Sequence, residues 1–163
     1  VKHLAAHFPL LYLDPKQCHV ARTPTLVSTI LGSCVAITIF DPVSQIGGVA
    51  HAFLPTRADY PDDTEAPCKF VDDALEHLLE IMGKGGAVLD CLETKLFGGA
   101  EIMNRDTALH GRPALQVGAR NVEMARRLLR QRGLTPAAQD VGGNQGRKLM
   151  FLSHTGGAWV KKI

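Results

Sequence analysis

Cys34 and His51 are the two side chains whose types and spacing could carry covalent chemistry. Cys34 follows a Gly32-Ser33 turn at the end of the β-rich run 25–31, and His51 comes on a later strand, after Gly47-Gly48-Val49-Ala50. A thiol beside an imidazole is the minimal set for a cysteine nucleophile. The imidazole lowers the effective pKa of the thiol, and the thiolate attacks a carbonyl. Spacing alone gives the pair little weight, because most cysteines in strands are small core hydrophobes.

Two strands must position the pair. Residues 35–40 are almost continuously apolar, which predicts a strand covered on both faces, and Asp41-Pro42 stops it. Residues 46–54 read as its partner, reached through Pro42-Val43-Ser44-Gln45. An antiparallel hairpin of the two brings Cys34 and His51 to the same end of a sheet. Gly32 lets the turn before the cysteine approach a neighbour closely or take a positive φ.

The other segments supply layers around that hairpin. Residues 1–9 read as a loosely held start, 10–13 as a short apolar run closed by Asp14-Pro15-Lys16, and 17–21 as a strand. Residues 55–67 form an aperiodic surface loop long enough to lie over the site. Helical spacing runs over 69–82 with Gly83 as its stop, and His77 on it reads as an ordinary surface histidine. Residues 92–97 form a strand leading into Gly98-Gly99, and 102–111 an exposed loop or broken turn. A second helix covers 122–132, with Asn121 as N-cap and Gly133 as stop. Residues 137–141 and 148–152 read as strands joined in a hairpin by a Gly-rich turn, with a last short strand over 158–161. Strands early, two helices inserted and strands late predict a single domain over residues 1–163. Its class is an α/β (α+β) sandwich of mixed, largely antiparallel β layers with two main helices.

Composition excludes several function classes. A net charge of +2 implies no polyelectrolyte partner, and the arginines at 126, 127, 130 and 132 lie in a helical pattern that reads as a solvated face, so nucleic acid is not expected. No apolar run has the length of a membrane span. Lys2, His3 and His7 interrupt the only apolar stretch at the start, which does not resemble an export signal. The cysteines at 18, 34, 68 and 91 show no pairing rhythm, which favours reduced thiols and a cytosolic address. No four-ligand spacing suggests zinc. Residues 142–147, Gly-Gly-Asn-Gln-Gly-Arg, lack the spacing of a phosphate loop and precede a strand, not a helix. Arg147 there either ties down Asp140 or meets substrate, with the tie the better reading.

Several ordered motifs together resemble the CheD family of chemoreceptor glutamine deamidases. They are Leu31-Gly32-Ser33-Cys34-Val35, Gly47-Gly48-Val49-Ala50-His51, Lys95-Leu96-Phe97-Gly98-Gly99-Ala100, Val117-Gly118-Ala119-Arg120-Asn121 and the segment from Asp140 to Arg147. The resemblance implies an α/β sandwich shared with toxin-type deamidases, Cys34 as nucleophile and His51 as general base and acid. It places the third catalytic residue, a Thr in the family, six positions before the cysteine. That position is Ser28 here, with Thr29 taking the role if the register differs. It implies deamidation of glutamines on methyl-accepting chemotaxis receptors through a thioester, with no metal or organic cofactor.

Backbone N–H groups of the Gly32-Ser33-Cys34 turn are the natural oxyanion donors, and Phe97, Gly98, Gly99 and Arg147 are candidates for a substrate or partner cleft. A second role implied by the resemblance is pairing with a CheC-type phosphatase. The alternatives are such a regulatory module alone, or another papain-like thiol hydrolase or transglutaminase.

Overall fold

The computed structural model describes residues 3–65, 67–101 and 116–163. Its elements in chain order are α1 (Leu4–His7), β1 (Leu10–Tyr12), β2 (Gln17–Ala21), β3 (Leu26–Leu31), β4 (Val35–Asp41) and β5 (Ile46–Ala52). They continue with α2 (Val71–Lys84), β6 (Glu93–Gly98), α3 (Val117–Gln131), β7 (Pro136–Val141), β8 (Arg147–Leu152) and β9 (Gly157–Lys162). The expected loop at 102–111 lies outside the described residues. No described helix is long and apolar enough to cross a membrane.

Three layers result. A four-stranded sheet, in the order β1-β3-β8-β9, faces a five-stranded sheet, β2-β5-β4-β6-β7, whose other face carries α2 and α3. The layering accounts for the unbroken apolar run of β4, where all seven residues are buried. Val35, Ile37 and Ile39 face the helices, meeting Leu75, Leu78 and Leu129, whereas Ala36 faces the other sheet with Val49, Val27 and Phe151. A strand covered on both sides has no polar face to offer.

The hairpin expected from the sequence forms, with Val35 opposite Ala52 and Ala36 opposite His51. Asp41 fixes its turn by accepting from the Val43 and Ser44 amides, and takes a further bond from the Val88 amide. The helix α1 buries none of its side chains.

Four sequence expectations need correction. Gly83 lies inside α2, which continues to Lys84 before capping at Gly85. The second long helix begins at Val117, so Asn121 sits within it and is not its cap. Nor do β7 and β8 form a hairpin: β7 runs parallel to β6 in one sheet, and β8 lies between β3 and β9 in the other. The Gly-rich turn carries the chain between sheets, with Gly142 and Gly143 both at φ near +70°.

The fourth correction concerns the cysteines. Cys18 on β2 and Cys68, just before α2, are joined as a disulfide with Cα atoms 6.1 Å apart, leaving Cys34 and Cys91 free. Both bonded cysteines pack against the core between the five-stranded sheet and the helices. Fifty residues of sequence separate them, so packing, not spacing, makes them neighbours.

Candidate active site

The chain passes from one sheet to the other at Gly32-Ser33, so β3 leaves one layer and Cys34 opens the next. By the pleat, Cys34 and Ala36 share a face, and His51, opposite Ala36, shares it too. That face looks into the space between the sheets, where Cys34 packs with Leu13, Leu31, Val49 and Phe97. Thiol and imidazole therefore stand on diagonal positions of neighbouring strands, both buried.

Thr29 reaches the imidazole from the opposite sheet. Its Oγ1 lies 2.8 Å from His51 Nδ1 and 2.7 Å from the Leu13 carbonyl. A carbonyl can only accept, so the single hydroxyl proton of Thr29 goes to Leu13. The Thr29 oxygen must then accept from His51 Nδ1–H. This fixes the tautomer: Nε2 carries the lone pair, and it has no hydrogen-bond partner among the described residues. A free, basic Nε2 on the face that bears Cys34 is the arrangement a general base requires.

Ser28 does not take that place. Thr29 alternates with Val27 and Leu31, which point into the space between the sheets. Ser28 falls on the outer face, beside Ile30, and borders a small cleft with Tyr12 and Lys148. The hydroxyl against His51 is thus five positions before Cys34, not six.

Burial keeps both reacting groups neutral. It pushes the Cys34 thiol up to about 11, against a smaller lowering by its own backbone N–H. It also pulls His51 down to about 4, offset in part by the Asp14 charge and the Leu13 backbone. Burial thus works against the lowering of the thiol pKa by the imidazole, because with little water an ion pair has no solvation to support it. Proton transfer must accompany attack.

The lowered His51 pKa has a consequence for stability. Between pH 6.5 and about 4 the unfolded chain binds a proton on this histidine that the folded chain refuses. Stability is thus lost as pH falls through that window, by up to roughly 3 kcal/mol from this group. Urea unfolding at neutral pH and near pH 4.5 should show the loss, and His51→Gln should reduce it.

Backbone bonds hold the turn that carries the thiol. The Ala100 amide donates to the Gly32 carbonyl and the Gly99 amide to the Cys34 carbonyl, each at 2.8 Å, and Asn121 Nδ2 donates to the Ser33 carbonyl at 2.9 Å. All three carbonyls are engaged. The Ser33 and Cys34 amides donate to no other residue among those described.

Phe97, Gly98 and Gly99 pack against the segment that carries the thiol. Phe97 is buried between the sheets, and Gly98, at φ +105°, lies so close that a Cβ there would stand 2.2 Å from the Cys34 carbonyl oxygen. Arg147 is fully buried and donates to the Asp140 carboxylate at 2.7 Å and to the carbonyls of Asp140 and Gly142. It ties the inter-sheet turn. A groove of about 630 Å³ beside α3 is lined by Gly99 with Glu101, Glu123, Arg126 and Arg130, and includes neither Cys34 nor His51.

Comparison with known proteins gives the family of the chain. The profile of the CheD family, described as CheD chemotactic sensory transduction, matches residues 53–162. A protein of Maridesulfovibrio salexigens named probable chemoreceptor glutamine deamidase CheD is 43% identical over 158 residues, covering 94% of this chain and 91% of its own. The chain belongs to the CheD family. A CheD of the same name from Nitratidesulfovibrio vulgaris is 41% identical, covering 94% of this chain and 81% of its own. The chemoreceptor glutamine deamidase CheD of Thermotoga maritima is 36% identical over 88% of this chain and 86% of its own.

The family profile begins at Phe53, past Thr29, Cys34 and His51, so those residues rest on the geometry. One feature of this chain escapes a reading of sequence. Asn121 looks like a helix cap, and only its contact with Ser33 places it at the site.

Proposed function

We propose that the protein hydrolyses glutamine side chains of methyl-accepting chemotaxis receptors to glutamate, with release of ammonia. Family membership supports the activity. The observation that supports the mechanism is the tautomer set by Thr29, which leaves His51 Nε2 basic on the face carrying Cys34.

As the Cys34 sulfur bonds to the carboxamide carbon, its proton passes to His51 Nε2, and the carbonyl becomes an oxyanion. The free amides of Ser33 and Cys34 are the donors for that oxygen. Collapse breaks the C–N bond. The proton on Nε2 goes to the departing nitrogen, ammonia leaves, and a thioester remains. Nε2 then takes a proton from water, the hydroxide attacks the thioester, and the C–S bond breaks. The thiolate regains its proton and glutamate is released. The chemistry calls for no electron transfer and no group beyond water.

A copy reduced to a regulatory module would not need this pair. Both members are present and oriented, so binding of a CheC-type phosphatase would be a second role of the same molecule.

Incubation with a purified receptor cytoplasmic fragment tests the activity. Ammonia release matched by a gain of about one mass unit per glutamine, absent with Cys34→Ala, is the expected result. Unchanged receptor mass under wild-type protein would contradict it.

A further inference from the structure

We infer that Asn121 is a positioning residue of the reaction, its one carboxamide holding the segment that carries the thiol and the segment that carries the imidazole at a fixed separation. The inference rests on the assignment of Cys34 and His51 as the reacting pair.

Asn121 stands on the buried face of α3 with Val122, Ala125 and Leu129, and is itself fully buried. An amide among such neighbours costs free energy unless its polar atoms are used. Oδ1 has no hydrogen-bond partner among the described residues, so Nδ2 makes the bonds that hold it. Nδ2 donates at 2.9 Å to the Ser33 carbonyl, directly before the nucleophile, and at 3.1 Å to the Phe53 carbonyl, two residues past His51. Both partners are carbonyls, so the NH2 group must face them and the amide has one orientation. Neither carbonyl has another donor among the described residues. Nothing else described ties Ser33 to Phe53.

The helix that brings this side chain is seated on the same turn. A Cβ at Gly118 would lie 2.6 Å from the Gly99 carbonyl oxygen, and the Gly99 amide is the one that holds Cys34. Thus α3 holds the thiol segment twice, through the Gly99 turn and through Asn121, and Asn121 is also its hydrogen bond to Phe53, just past the imidazole. Without the amide, β4 and β5 still pair, but their ends at Cys34 and Phe53 lose their common anchor. Diagonal side chains tolerate little drift when a proton must move between them.

The test compares wild type, Asn121→Leu, Asn121→Asp and Cys34→Ala on the receptor fragment, with circular dichroism confirming the fold and turnover expressed per folded molecule. Asn121→Leu keeps the volume and removes both bonds, and should lower kcat about 100-fold with KM within about threefold. Asn121→Asp keeps the shape and gives a second readout should the leucine variant not fold. When protonated it can donate one of the two bonds. As it ionises it turns a charged oxygen on both carbonyls, so its kcat should fall at least about tenfold between roughly pH 6 and 9. Wild type should be flat there, with His51 near 4 and Cys34 near 11.

A merely structural Asn121 would lower melting temperatures and leave kcat and its pH profile unchanged. That outcome, with Cys34→Ala inactive, overturns the inference while the reacting pair stands. Full activity of Cys34→Ala would instead overturn the pair.

Discussion

His51→Gln is expected to lower kcat for glutamine deamidation by roughly 10⁴-fold at neutral pH. The size follows from the thiol. With Cys34 held near 11, only about one molecule in 10⁴ carries a thiolate at pH 7 unless a base removes the proton during attack. Glutamine fills much of the imidazole's volume and keeps a polar group near Thr29, so the fold should survive. It cannot accept a proton. The residual rate of the variant should also climb about tenfold per pH unit toward the thiol pKa, whereas wild type is flat above about pH 5. A pH–rate profile of both proteins from pH 5 to 9 checks the assignment. A parallel drop with no change of slope would mean that His51 serves something other than proton transfer.

Thr29→Val should cost about 100-fold in kcat, while Ser28→Ala stays within about threefold of wild type. Valine matches threonine in shape and in strand preference, so the change is confined to one hydroxyl. Its loss leaves the Leu13 carbonyl without its donor and His51 Nδ1–H without its acceptor, both in a buried place. The imidazole is then free to place its proton on Nε2, where it blocks the base. Thr29→Ser, which restores the oxygen, should recover most of the activity. Ser28 points to the outer face, where a methyl group is tolerated. The reverse ranking of the two variants, read from ammonia release, would show that the strand register at His51 is wrong.

The contrast between these neighbours shows where the sequence was sufficient. The hairpin that joins Cys34 and His51 was legible because residues 35–40 form an apolar run that only a doubly covered strand explains, and because Asp41-Pro42 ends it. The pair itself stood out only through the motifs that resemble the CheD family. The layered class followed from the order of strands and helices. The face of Thr29 was not legible. In β3, Leu26 and Ile30 make one alternation apolar, Val27 and Leu31 the other, so periodicity cannot say which hydroxyl faces inward.

Asn121 was misread for a related reason. Asn has a strong capping preference, yet the helix begins at Val117, because tertiary contacts, not a local cap, pin that end. The Gly-rich turn between β7 and β8 has hairpin chemistry, yet pairing with β6 and β3 decides its course. The Cys18–Cys68 contact joins distant segments with no local signal at either end. The neutral state of the thiol and imidazole likewise reflects burial, which no local pattern reports.

The central claim is that Cys34 becomes acylated by a receptor glutamine. Acid-quenching the protein with a receptor fragment early in turnover and measuring intact masses tests it most directly. The account predicts an adduct on Cys34 weighing the two chains together less one ammonia, discharged by hydroxylamine and absent with Cys34→Ala. Receptor converted to its glutamate form at full rate by Cys34→Ala would contradict it, since water would then attack the carboxamide without the thiol.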